Sequence, residues 1–266
     1  MYRLKVGRSV SFNDGFENNI SAAEKAGLDT LDFDLCANWR EREKEIEQYK
    51  KIEEGLKRIE KSPLCLNGVH ISFGATWEYS DLNEEIRINA VRLTKEIFER
   101  VDGATPYCYI LHGSWEPIKD EVRAQRLEQM KKSLRELRQY THTRLCLEDL
   151  PRTCLGNTSA EILGVLKEVK GIDVCLDSNH FLKERPETAV LALGKSIKTT
   201  HISDYDFVDE RHWLPGKGKI DWNVFIGALE SVGYDGVFNY EVNETAEAIK
   251  ENYTKLFENY NQRRGY

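Results

Sequence analysis

The sequence predicts an α/β protein, a single-domain (β/α)₈ barrel over residues 1–266. Three observations carry this. Eight short apolar runs alternate with longer amphipathic segments, the chain has the length of one such barrel, and metal-competent residues recur at the C-terminal ends of the runs.

The expected strands are Leu4–Val6, Thr30–Leu35, Leu66–Ser72, Tyr107–Leu111, Arg144–Leu147, Asp173–Leu176, Lys198–Ile202 and Gly236–Val242. Between them, residues 43–61 place Ile46, Tyr49, Ile52, Leu56 and Ile59 three or four apart, the stripe of one helix face. Residues 119–140 repeat the pattern with Val122, Leu127, Met130, Leu134 and Leu137. Ser159 before Ala-Glu-Ile-Leu reads as an N-cap, and Gly171 as the stop of that helix. Gly27 and Gly233 end two others. Repeated strand–helix units imply a parallel sheet covered by helices. A doubly wound open sheet competes, but no glycine fingerprint follows the first strand.

Composition narrows the function classes. The chain has 38 basic and 45 acidic residues, a net charge of −7, which speaks against a nucleic-acid partner that must neutralise phosphates. No run is long and apolar enough for a membrane helix, and Met1-Tyr-Arg-Leu-Lys-Val-Gly lacks a signal-peptide core, so a cytoplasmic protein is expected. Cys108, Cys146 and Cys175 lie in apolar strand runs and read as small hydrophobes. There is no C-x-x-C pair, so the cysteines are expected to be reduced.

The last six expected strands end in His70, His112, Glu148, Asp177, His201 and Glu241, with His180 just beyond the sixth and His212 in the loop after the seventh. A single strand histidine is more often a hydrogen-bonded core residue, and a single strand-end acid an N-cap. Six successive strand ends fit a shared site better than six separate accidents. Glu148, Asp177, His201 and Glu241 offer carboxylate oxygens and an imidazole nitrogen, a donor set suited to Mn, Mg, Co or Zn. Gathered without a cation, these carboxylates would repel one another. Trp77, Trp115 and Trp213 sit in or beside the same loops, placed either to stack on the C–H face of a ligand or to pack the loops.

These motifs resemble the xylose isomerase-like TIM barrels, the sugar isomerases and epimerases, with the endonuclease IV class as relatives. The matching residues are Glu148, Asp177-x-x-His180, His201-x-x-Asp204, the stretch His212-Trp-Leu-Pro215-Gly216-Lys-Gly218-Lys-Ile220-Asp221-Trp222, and Glu241. The resemblance implies one catalytic divalent metal on Glu148, Asp177, His201 and Glu241, with Glu148 and Glu241 also serving as catalytic acid/base groups. It implies substrate contacts from His180 and from Arg211–His212, and His70 and His112 are assigned to the same substrate side. The expected activity is metal-dependent isomerisation or epimerisation of a sugar, a sugar phosphate or an inositol-derived substrate, by proton transfer through an enediolate. A small carbohydrate is the expected partner, and relatives often pair barrels, which leaves a homo-oligomer open.

The competing expectation is endonuclease IV-like phosphodiester hydrolysis, in which His70, His112 and His180 would hold additional zinc ions. There the acid paired with His212 would be Asp209, at a spacing unlike the usual Asp-x-His, and the loop from Trp77 to Glu85 is acidic where DNA phosphates need cations. A barrel that only binds a metabolite is the third reading.

Overall fold

The computed structural model describes residues 1–11, 16–35 and 42–265. Eight parallel strands close into one barrel in sequence order: β1 (Lys5–Ser11), β2 (Thr30–Asp34), β3 (Cys65–His70), β4 (Cys108–His112), β5 (Arg144–Glu148), β6 (Ile172–Asp177), β7 (Ile197–Ile202) and β8 (Val237–Tyr240). The helices α1 (Phe16–Ala26), α2 (Arg42–Ile59), α3 (Glu84–Val101), α4 (Asp120–Tyr140), α5 (Ser159–Glu168), α6 (Pro186–Leu193), α7 (Trp222–Ser231) and α8 (Ala246–Arg263) follow them in turn.

The predicted helix stripes are the buried faces. Tyr49, Ile52, Leu56 and Ile59 of α2, and Met130, Leu134 and Leu137 of α4, all join the core between helices and sheet. The side chain of Ile46 and all of Cys36 lie outside the described residues. The other five cysteines are free thiols. Strand β1 runs five residues beyond the expected Val6, because its ladder with β2, from Gly7↔Thr30 to Ser11↔Asp34, needs backbone groups rather than apolar side chains. The N-cap of α5 is Thr158 and not Ser159: the Thr158 side chain accepts from the Glu161 amide, while Ser159 gives its N–H and hydroxyl to Glu184. Gly27 and Gly233 have φ of 68° and 72°, left-handed turns that suit glycine just past a helix end.

Side chains two apart on a strand share a face. Cys146 and Glu148 therefore point the same way, as do Cys175 and Asp177. Cys108, Ile110, Cys146 and Cys175 form a small buried cluster of their own. This is the filled barrel interior, and the strand-end polar groups stand on top of it. Two register shifts interrupt the parity: Asn67 is an extra residue in β3 opposite Leu31/Asp32, and Lys198 an extra one in β7 opposite Val174/Cys175.

The loop from Pro215 to Trp222 is held by one carboxylate. Asp204, fully buried, accepts from the amides of Gly216 (2.8 Å), Ile220 (3.2 Å) and Tyr205 (2.9 Å) and from Trp222 Nε1 (2.9 Å). A Cβ at Gly218 would stand 2.3 Å from Asp204 Oδ1, so only glycine lets the chain pass so close. Asp221 then caps α7 through the Asn223 and Val224 amides. Asp204→Ala would leave four donors without this acceptor, three of them buried. We expect it to cost roughly 2–4 kcal/mol, read as a lowered urea midpoint together with new proteolytic cleavage between residues 205 and 221.

Candidate metal centre

Glu148 is 1% exposed at the end of β5 and is surrounded by imidazoles. Its Oε2 is 2.9 Å from His70 Nε2 and 3.2 Å from His112 Nε2, and its Oε1 is 2.9 Å from His201 Nδ1. The register aligns His112 with Glu148 across the β4–β5 ladder, so neighbouring strand ends present these groups at one height. Burial alone would push the Glu148 carboxyl up, but His201 and His112 more than reverse this and hold it well below the usual carboxylate range. His70 loses hydration through burial, yet Glu148 draws its pKa up to about 9. His112 is shifted down by burial.

Around the same point stand Asp177 at the end of β6, His201 on β7 and Glu241 just after β8. One ligand atom from each of Glu148, Asp177, His201 and Glu241 lies within 4.8 Å of the others. Asp177 Oδ1 accepts from the Asn179 amide at 2.6 Å, while Asp177 Oδ2 is buried with no hydrogen-bond partner. Glu241 Oε2 stands 3.0 Å from His201 Nδ1 without hydrogen-bond geometry. Burial and the charges of Glu241 and Glu148 push the Asp177 carboxyl well above its ordinary value. Three carboxylates and one imidazole, with orphaned oxygens aimed at one point, fit a divalent cation by both chemistry and unmet bonding.

Three further ligand groups adjoin the first: His70, His112 and Glu148; Glu148, Cys175 and His201; and His180, Glu210 and His212. His180 turns Nδ1 to the Asp149 carbonyl (2.7 Å), which leaves Nε2 3.7 Å from both Asp177 Oδ2 and Glu210 Oε2. His212, at φ 48°, has Nδ1 3.2 Å from the Glu241 carbonyl oxygen. The acid beside His212 is thus Glu210, not Asp209; Asp209 Oδ1 instead meets Arg152 Nη1 at 2.7 Å.

These groups open into a pocket of about 200 Å³, lined also by Asp34, Phe73, Trp115, Glu116, Leu150 and Arg152. A larger hollow of about 430 Å³ beside Tyr2 and Phe257 gathers no such polar cluster. Phe73 stacks on His112 with ring centroids 4.3 Å apart and lies 5.7 Å from Trp115. Of the three tryptophans weighed from sequence, Trp115 lines this wall. Trp77 is buried, 3% exposed, and packs the loop; Trp213 pairs its backbone with Asp204 while its side chain is 39% exposed, and neither lines the pocket. Arg211 does not reach the pocket: its amide donates to Asn179 and its guanidinium to Asp206. The cation on the pocket wall is Arg152, bound to Glu116 (2.8 Å), Asp209 and Glu210 (3.2 Å). Arg152 follows Leu150-Pro151 just past strand five, a position that sequence reasoning passed over because it looks like an ordinary loop cation.

A closed barrel with a cluster of metal-competent side chains at the C-terminal mouth of its strands is a (β/α)₈ barrel whose candidate site stands where such barrels carry theirs. Within that class the chain belongs to the xylose isomerase-like TIM barrel family, whose model matches residues 20–258. A D-tagatose 3-epimerase-like protein superposes with a TM-score of 0.81 at 22% identity, covering 98% of this chain and 99% of the other. The 3-keto-D-glucoside 4-epimerase of E. coli gives 0.78 at 19%, covering 96% and 100%. The D-psicose 3-epimerase of Clostridium cellulolyticum H10 gives 0.77 at 18%, covering 97% and 99%. At these identities the likeness is one of fold. In sequence, the chain is 30% identical to an uncharacterized protein of Methanocaldococcus jannaschii over 112 residues, 39% of this chain and 38% of that one. No helix among the described residues is long and apolar enough to cross a membrane.

Without metal, His70 and Asp177 hold protons more tightly in the folded than in the unfolded chain. For His70 the stabilisation is complete below its ordinary value of about 6.5 and is lost as pH rises through about 9. Chelator-treated protein should therefore lose thermal stability across that interval. Zinc loading, which replaces the protons, should release them to the buffer and flatten the profile. Differential scanning calorimetry with and without chelator measures both.

Proposed function

We propose that the protein is a metal-dependent sugar isomerase or epimerase. One observation carries the reading: Glu148 and Glu241 share the four-ligand cluster with Asp177 and His201 and line the pocket. The epimerase names of the structural relatives support the substrate class.

In this reading Glu148, Asp177, His201 and Glu241 hold one divalent ion, Mn, Mg, Co or Zn. When bound it supplies Lewis-acid stabilisation of negative charge on neighbouring substrate oxygens. The residues do the rest. One glutamate takes the proton from the carbon beside the carbonyl, and the other returns a proton to the opposite face for epimerisation. Delivery of the proton instead to the neighbouring, former carbonyl carbon, with a proton moving from one substrate oxygen to the other, gives isomerisation. His180, with Nδ1 committed to the Asp149 carbonyl, offers Nε2 to a substrate hydroxyl, and His212 closes the rim. Phe73 and Trp115 supply an apolar wall for the sugar's C–H face and keep water from the reacting carbon. Screening ketohexoses and their phosphates by NMR for proton exchange in D₂O tests the reaction directly. Glu148→Gln and Glu241→Gln should each lower turnover about 10²–10⁴-fold, while Cys146→Ser, in the barrel interior, should leave it unchanged. Full activity in either glutamine variant would remove the acid/base assignment.

A second reading is favoured by a specific observation. The groups His70–His112–Glu148 and His180–Glu210–His212 flank the first and share Glu148 or its neighbours, which suits a cluster of two or three zinc ions and phosphodiester hydrolysis. Against it, the lining carries Asp34, Glu116, Glu148, Glu210 and Glu241 with Arg152 as its one guanidinium, a poor surface for a polyanion. Elemental analysis after zinc loading should give one tightly held ion per chain, with no incision of an abasic-site duplex. Three ions, with incision abolished by Glu241→Gln, would reverse the ranking.

A further inference from the structure

Among the buried polar atoms with no hydrogen-bond partner, two face each other. Asp32 Oδ2 and His201 Nε2 are 3.6 Å apart, and both residues are at most 1% exposed. We propose that Asp32 is a positioning residue for His201: it receives the Nε2 proton and so keeps Nδ1 as the bare nitrogen facing Glu148, Asp177 and Glu241. The inference rests on the metal-binding reading above and adds a residue to it.

The geometry separates the two ring nitrogens. Nδ1 lies 2.9 Å from Glu148 Oε1 and 3.0 Å from Glu241 Oε2, so this edge of the ring is turned to the ligand cluster. Nε2 is turned to the opposite side, where Asp32 is the acceptor at hand. A histidine that ligates through one nitrogen carries its proton on the other, and that proton needs an acceptor which fixes ring and tautomer.

Asp32 is itself built into place. The extra residue in β3, Asn67, turns its Nδ2 to Asp32 Oδ1 (2.7 Å) and, across the barrel, to Thr199 Oγ1 (3.0 Å). The Gly68 amide donates to the same Oδ1 at 2.8 Å. A Cβ on Gly68 would lie 2.5 Å from Asp32 Oδ2, so glycine keeps the space that Oδ2 occupies. With Oδ1 fixed by two donors, Oδ2 has one direction left, toward His201.

This wiring makes the amide variant informative. In Asp32→Asn the carbonyl oxygen must stay at the Oδ1 position to accept from Asn67 and Gly68, which turns the NH₂ toward His201 Nε2. Nε2 must then accept, the proton moves to Nδ1, and the ligating nitrogen is blocked. The side chains have the same shape, so the barrel is retained.

Two measurements test the idea. Calorimetric titration with zinc should show about 10–100-fold weaker binding to Asp32→Asn than to the unaltered chain, at an unchanged circular dichroism spectrum. Histidine-selective nitrogen NMR of the unaltered, zinc-loaded protein, with His201 assigned through His201→Asn, should show a protonated Nε2 and a metal-bound Nδ1. Zinc binding by Asp32→Asn within twofold of the parent, or a metal-bound Nε2 in the parent, overturns the assignment, and the second readout holds even if the variant does not fold. A parent chain that takes up no zinc, manganese or cobalt would instead sink the metal reading, and this one with it.

Discussion

The structure turns on a carboxylate taken out of water. Glu148 has almost no solvent contact, and an isolated carboxylate in that position would cost far more than the fold can spare. Its neighbours remove the cost by bringing positive charge and N–H donors from three other strands: His70 from β3, His112 from β4 and His201 from β7. The arrangement overshoots, because Asp177 and Glu241 crowd the same volume and leave buried oxygens without partners. A divalent cation on these ligands, as proposed above, would resolve what the polypeptide leaves open. The same concentration of charge that is costly without a partner is what would give the site affinity for a metal ion.

A second level of order keeps the mouth of the barrel in shape. Asp204 gathers four donors from the loop after β7, and Arg152 links the loops that follow β4, β5 and β7 through Glu116, Asp209 and Glu210. Glu210 thereby faces two ways, with Oε1 toward Arg152 and Oε2 toward His180. Of the family-like stretch from His212 to Trp222, only His212 lines the pocket; the glycine-rich part from Pro215 onward does not. It fixes the loop that carries Glu210 and His212.

Much of this was readable in the sequence. All eight strands and the stripes of α2 and α4 follow from apolar periodicity, because a barrel imposes the same alternation eight times over. The four residues expected to converge do lie together, since closing a parallel barrel brings every strand's C-terminus to one rim. What escaped the sequence depends on side-chain direction. Arg211 and Glu210 are adjacent, yet one points to Asp206 and the other into the ligand cluster, and no periodicity separates them in a loop. Asp32 sits in a run that reads as a buried strand, where an acid looks like an interruption. Its role depends on His201, 169 residues further along the chain, and on an irregularity in β3 that leaves no mark in hydrophobicity.

That irregularity has a consequence for how the chain tolerates changes in length. A strand assigns its side chains alternately to the interior and to the helices, so adding or deleting one residue exchanges the two sets downstream. In β3 and β7 one added residue is absorbed without that exchange: beyond Asn67 and beyond Lys198 the ladder resumes in step, with Asp34 opposite His70 and Asp177 opposite His201. Deleting Asn67 would therefore leave His70 facing inward and remove instead the amide that joins Asp32 to Thr199. An extra residue confined to a bulge changes what stands at one level of the barrel interior, while the imidazoles above it keep their direction.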